Sequence, residues 1–171
     1  YLDYTNREIN MTNYDFKNNQ KKLSIDIINK YEIRNNLTAF ISGEIGAGKS
    51  MFGKLLAKKL NANFVDDFNP SEPGDTLEYL YTLVRPTHSN PLVIVLDEID
   101  ILIETFHNGN VIQHKKITKL VNNKTTWNKF LDKIEIGLYP HVILLLCSNK
   151  SKKYIDNLDP SYLRDGRVHH Y

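Results

Sequence analysis

Apolar residues recur along this chain at two different periods, and their alternation predicts a layered α/β domain. The runs Leu37–Ser42, Leu92–Leu96 and Val142–Cys147 are nearly unbroken β-favouring stretches, the pattern of parallel strands buried on both faces. Asn63–Asp66 reads as a shorter strand, and Val168 begins another. Between the strands, apolar positions fall at helical spacing. Leu23, Ile25, Ile27, Ile28 and Ile33 predict a helix ahead of the first strand, and Phe52, Leu55, Leu56 and Leu60 predict one that follows Lys49. Pro70, Pro73 and Gly74 interrupt the chain before a short helix over Leu77–Val84. Beyond a loop at Asn108-Gly109-Asn110, two helical pieces are expected, one at Ile117, Leu120 and Val121 and one at Trp127, Phe130, Leu131 and Ile134. The implied architecture is a doubly wound parallel sheet of five strands flanked by helices. It occupies residues 23–171, behind a polar lead-in of residues 1–22.

Composition adds little to this picture, and charge adds one feature. With 171 residues, 41% of them apolar and 25% charged, the chain suits one globular domain with its own core. A net charge of +2 gives no global field for nucleic acid or an anionic membrane. The charge is nevertheless split. Residues 62–105 carry nine acids and Arg85 as the one base, whereas 106–155 carry nine lysines against Asp132 and Glu135. Such a split suits either a head-to-tail contact between identical subunits or two solvated faces of one domain. The single cysteine, Cys147, ends an apolar run and reads as a core residue, so an intracellular, reducing and cytoplasmic setting is expected. No apolar stretch approaches the ~18 residues that span a bilayer.

The chemistry lies at the strand ends. Gly43-Glu44-Ile45-Gly46-Ala47-Gly48-Lys49-Ser50 fits the Walker A pattern between a predicted strand and a predicted helix. Its glycines let backbone N–H groups turn toward phosphates, and the helix start adds unpaired N–H groups and a positive dipole end. Residues Gly43 to Met51 are therefore the expected cradle for ATP, with Lys49 reaching the β and γ phosphates and Ser50 holding Mg²⁺. The lead-in is expected to pack on this side. Asp97-Glu98 follows a buried strand, which places Asp97 to hold Mg²⁺ through its water shell and Glu98 to deprotonate the attacking water. Asn149 follows the next buried strand, where its amide could bond both the γ-phosphate and the water. Arg164 and Arg167 flank Gly166 beyond the last predicted helix. A guanidinium there can stabilise a transferring phosphoryl group, in particular one held by a neighbouring subunit.

With these motifs in view, the chain resembles the AAA family of ring-forming ATPases, and faintly its Bcs1-like branch. Asp97-Glu98-Ile99-Asp100 looks like that family's Walker B, Asn149 like its first sensor, and residues 158–167 like its second region of homology. The resemblance covers Leu37 to Val168. It implies a homo-oligomeric ring, hexameric or heptameric, that hydrolyses ATP to remodel a protein substrate rather than nucleic acid. Departures are visible. The phosphate loop reads GEIGAGKS where the family has GPPGTGKT, and Phe68-Asn69-Pro70 stands where an aromatic pore-loop motif is usual. Asp165 replaces a proline, and the helical lid with its second sensor is expected outside this chain.

Two other readings stay open at this level. The phosphate loop also resembles that of deoxynucleoside kinases, and a non-hydrolysing ATP-gated assembly module would need the same loop. Ser148-Asn149-Lys150 begins like a GTPase motif, but position 152 is Lys rather than Asp. Lys115, Lys116, Lys119 and Lys124 are expected to form a solvated helix face, and Trp127 a core position. His169 and His170 would point to opposite faces of a strand, which argues against a shared metal ion.

Overall fold

The computed structural model describes residues 14–171, and most of the predicted alternation is present in it. Helix α1 (Asn18–Arg34) precedes strand β1 (Leu37–Ser42), which leads into α2 (Lys49–Lys59) and β2 (Asn63–Val65). Then come α3 (Leu77–Val84), β3 (Leu92–Leu96), α4 (Ile99–His107), α5 (Lys124–Glu135), β4 (Val142–Ser148) and α6 (Lys152–Leu158). All strand pairs are parallel, in the order β1-β4-β3-β2.

The unbroken apolar runs follow from this topology. In β1, β3 and β4 successive side chains alternate between the two faces of the sheet, and both faces are covered. Leu37, Ala39 and Ile41, Val93 and Val95, and Ile143, Leu145 and Cys147 pack with Ile27 and Tyr31 of α1 and Phe52 and Leu56 of α2. The intervening Phe40, Leu92, Ile94, Leu96, Leu144 and Leu146 pack with residues of α3, α4, α5 and α6, among them Leu80, Ile103, Trp127 and Ile155. Trp127 is fully buried and its indole N–H donates to the Tyr162 carbonyl at 3.0 Å. Cys147 is also fully buried, and burial pushes its thiol up to about 12, which makes it a packing residue.

Several expectations need correction. The sheet has four strands, and the fifth is reduced to one parallel bridge, His170 with Ala39, on the outer edge of β1. No helix forms at Ile117–Val121. That segment lies instead along the 69–75 loop, with a bridge from Lys119 to Pro73 and a bond from Val121 N–H to the Pro70 carbonyl at 2.8 Å. Val121 is buried by tertiary contact, so its apolar neighbours mimicked a helical stripe. Of the four lysines expected on one helix face, Lys124 alone belongs to a helix. Two helices escaped the periodicity reading. Ile99, Ile103 and Phe106 form the buried stripe of α4, whereas α6 buries Ile155 alone and has almost no pattern to read.

The lead-in boundary also shifts, since α1 begins at Asn18; the part of the lead-in over residues 1–13 lies outside the described residues. Two residues ahead of α1 reach α2 and the phosphate loop. Phe16 lies against Phe52 of α2, with ring centroids 5.5 Å apart, and Lys17 Nζ donates to the Ala47 carbonyl at 3.3 Å. Among the described residues no helix is long and apolar enough to cross a membrane.

Helix α2 approaches the sheet through Gly53, where an added Cβ would stand 2.5 Å from Val95 Cγ2 and 3.3 Å from Phe64 Cε2. Val95 is β-branched, fully within the core and paired with Leu145 of β4, so it has little room to yield. Alanine gains about 1 kcal/mol of helix propensity over glycine, but overpacking a core costs ~1–3 kcal/mol. Gly53→Ala is expected to be net destabilising by about 1 kcal/mol, read as a lower urea midpoint. A midpoint equal to or above the parent's would show that β3 makes room.

Candidate functional site

Adjacency in the sheet builds the site. Because β4 lies between β1 and β3, the loops after all three strands emerge side by side at the carboxyl edge, where open α/β sheets bind ligands. The loop after β1 turns sharply. Gly46 and Gly48 adopt left-handed φ of 80° and 87°, which glycine alone adopts at little cost. Gly43 is constrained by space, since a Cβ there would come 3.3 Å from that of Ala47. Gly43 N–H donates to the Ser148 carbonyl at 3.1 Å and Ala47 N–H to the Glu44 carbonyl at 3.1 Å. Glu44, Ile45, Gly46 and Ala47 are exposed, and Lys49, Ser50 and Met51 begin α2 half-buried. The first-turn N–H groups of that helix have no intrahelical partner, so the loop and helix start together offer a set of donors suited to phosphate.

Lys49 binds across two strand ends. Its ammonium donates to the Gly43 carbonyl at 2.8 Å, the Glu44 carbonyl at 3.0 Å and Asn149 Oδ1 at 2.9 Å. Ser50 Oγ donates to Asp97 Oδ2 at 2.9 Å, while Asp97 Oδ1 accepts the Glu98 N–H at 2.9 Å. The serine hydroxyl and aspartate carboxylate are hard oxygen donors in contact with each other, a set that fits Mg²⁺ bound mainly by water and phosphate. Glu98 caps α4 in a left-handed conformation, φ 52° and ψ 39°. A non-glycine residue in that region is strained, and such strain concentrates at functional positions. Its side chain is exposed toward a cavity of about 590 Å³ lined by Asp66, Asp67, Phe68 and Glu72 from the loop after β2.

The two arginines separate. Arg167 is buried, with Nε donating to Asp132 Oδ1 at 2.5 Å, Nη2 to Oδ2 at 3.1 Å and Nη1 to the Ser161 carbonyl at 2.8 Å. The hydrogen bonds from Arg167 hold the Asp132 carboxyl below its ordinary range. Arg164 is 57% exposed and stands 3.9 Å from the same carboxylate. Between them Gly166 has φ 95°, and a Cβ there would press to 2.7 Å on Glu135 Oε1. Neither arginine lines the cavities beside the phosphate loop and Asp97-Glu98.

Sequence reasoning overlooked three residues that support this arrangement. Lys17 braces the outside of the phosphate loop, Asp132 organises the arginine segment, and Asp100, quoted as part of a motif without a role, accepts the Asn149 N–H at 3.2 Å. Asp132 had a signal, being one of two acids in the lysine-rich stretch. Lys17 had none. His169 and His170 brace β1 and α1. His169 Nδ1 accepts the Thr38 N–H at 3.0 Å, and burial together with Arg34 lowers this histidine to about 4.

Comparison with known proteins bears on the same residues. The family model described as "ATPase family associated with various cellular activities (AAA)" matches residues 39–171. Among solved structures, the Aeropyrum pernix ORC2 protein in its ADP form aligns with a TM-score of 0.45 and 12% identity. That alignment covers 98% of this chain and 49% of the ORC2 chain, so this chain spans about half its length. No curated protein matches. The family match takes in most of the described fold, from the middle of β1 through the phosphate loop to the last residue, and on that ground the chain belongs to the AAA family and is an ATP-binding domain of that family.

Proposed function

We infer that this domain binds ATP with Mg²⁺ and hydrolyses it within a ring of identical subunits, hexameric or heptameric, that remodels a protein substrate. The observation that carries the reading is the convergence of Lys49, Ser50, Asp97, Glu98 and Asn149 on one crevice, tied by the Lys49–Asn149 and Ser50–Asp97 bonds. The Lys49 ammonium donates to loop carbonyls and Asn149, partners that the phosphate oxygens of ATP would replace. Ser50 and Asp97 are the residues that would hold Mg²⁺. That ion would supply charge neutralisation on the phosphates. Glu98, exposed at the head of α4, takes the proton of the attacking water. Asn149 holds that water and the γ-phosphate.

The exposure of Arg164 and its place outside the two cavities beside the phosphate loop and Asp97-Glu98 support action on ATP held by the next subunit. Arg167 serves a different purpose in this reading, keeping the segment that carries Arg164 folded through Asp132. A protein substrate is favoured over nucleic acid because Asp66, Asp67 and Glu72 line the cavity beside Glu98 and would repel a phosphate backbone. A kinase-like or purely assembly-gating role makes less use of Glu98 and Asn149.

Lys49→Ala is expected to abolish ATP binding in calorimetry. Glu98→Gln should keep binding and lose ~10²-fold or more of turnover, the range for a lost general base. Hydrolysis by Glu98→Gln at the parental rate refutes its assignment.

The arginines give opposite expectations. Arg167→Ala should lower stability by about 1–2 kcal/mol, below the full value of charged hydrogen bonds because water reaches Asp132. Arg164→Ala should leave stability and ATP binding intact and reduce turnover by ~10³-fold. Mixed with Lys49→Ala protein, it should regain partial activity wherever an intact pocket meets an intact arginine. Joint assemblies that stay inactive, or normal turnover by Arg164→Ala alone, would mean that hydrolysis is completed within one subunit.

A further inference from the structure

Asp100 sits in the first turn of α4, where an acid ordinarily stays at the surface and complements the helix dipole. Here it is 4% exposed. Burying a carboxylate is costly unless it satisfies something equally buried, and its hydrogen-bond partner is the backbone N–H of Asn149 at 3.2 Å. That N–H lies one residue past the end of β4, where the parallel ladder no longer offers it an acceptor.

The rest of the turn is tied down as well. Ser148 Oγ donates to the Lys150 carbonyl at 2.9 Å and accepts the Lys150 N–H at 2.9 Å, and the Ser148 carbonyl accepts the Gly43 N–H. With Asp100 holding the Asn149 N–H, these bonds fix the turn from which the Asn149 side chain extends to Lys49. Asn149 faces Lys49 on one side and, with Asp100, Glu44, Ile45 and Lys150, lines a cavity of about 620 Å³ beside the phosphate loop.

We propose that Asp100 is a positioning residue of the ATPase, a latch from the Glu98 helix onto the Asn149 backbone that sets where the Asn149 amide meets the γ-phosphate. This rests on the reading of Asn149 as the group that contacts γ-phosphate and water. The latch makes Glu98 and Asn149 move as one unit, because α4 carries the first and holds the second. The carboxylate is needed as an acceptor and not for its charge, so Asn in its place keeps the function and Ala does not.

The test compares Asp100→Ala, Asp100→Asn, Asn149→Ala and the Asp100→Ala/Asn149→Ala double variant in the full chain, with Asp100→Leu replacing Asp100→Ala should the latter unfold. Without nucleotide, NMR hydrogen exchange at the Asn149 N–H should accelerate ~10-fold or more in Asp100→Ala and stay slow in Asp100→Asn, while Leu146 is unchanged. With ATP, Asp100→Ala should lower kcat by ~10-fold or more with KM within about 3-fold, the effect expected for a lost outer-shell partner. Asp100→Asn should recover most of that rate. The double variant should be no slower than Asn149→Ala, since both changes remove the same positioned amide. Unaltered exchange, an Asp100→Asn rate as low as that of Asp100→Ala, or additive losses in the double variant overturn the latch. A parent chain that binds ATP without hydrolysing it overturns the ATPase reading and the latch's catalytic purpose with it, while slow exchange at Asn149 marks that failure as distinct from a missing latch.

Discussion

The pairing of β4 between β1 and β3 is the constraint on which the site depends. Its register is continuous on both sides, from Leu37 opposite Ile143 to Ser42 opposite Ser148, and from Leu92 opposite Val142 to Leu96 opposite Leu146. All seven residues of β4 are buried, so a slip by one residue would turn every side chain to the other face and break both core layers. Fixing the register fixes where the three strands stop, and so brings Gly43, Asp97 and Asn149 to one edge. The hydrogen bond from Gly43 N–H to the Ser148 carbonyl is the first contact beyond the sheet, and the Lys49–Asn149 bond is its side-chain counterpart.

A rigid base also explains how the site sustains its irregular backbone. Gly46, Gly48 and Glu98 all have positive φ, and each stands within two residues of a helix start or inside the phosphate loop. Glycine accepts that geometry easily. Glu98 does not, and its conformation is held from both sides, by β3 before it and by the buried Ile99 and Asp100 after it. The polar groups of the crevice meanwhile satisfy one another, Lys49 with carbonyls and Asn149, Ser50 with Asp97. A ligand that enters must replace those bonds, so an anionic, many-oxygen ligand such as a nucleotide triphosphate suits the crevice best.

The arginine segment follows a different physical logic. Two guanidinium groups three residues apart are equivalent in sequence, yet Arg167 is enclosed by Asp132 and the Ser161 carbonyl while Arg164 remains in solvent. Planar bidentate pairing with a carboxylate suits arginine in a partly buried place. The same carboxylate lies within reach of both, so Asp132 is the point from which α5 governs the loop.

Much of this protein was legible in its residues alone. The buried runs at 92–96 and 142–147, the Gly-rich loop before Lys49 and the acids after Leu96 are local patterns, and each reports a local requirement: two-sided burial, positive φ, or charge at a strand end. The fold class and the location of the crevice follow from them. What the sequence could not determine depends on partners distant in the chain. Val121 is buried against the 69–75 loop rather than on a helix, and the expected fifth strand is reduced to one bridge beside β1. Asp100 became a buried acceptor because β4 ends beside α4, and Arg167 parted from Arg164 because α5 places the Asp132 carboxylate at hydrogen-bond distance from Arg167 and 3.9 Å from Arg164. Spacing along the chain specifies which face of an element is apolar; which polar group meets another across elements is decided only when the sheet's strand order brings their ends together.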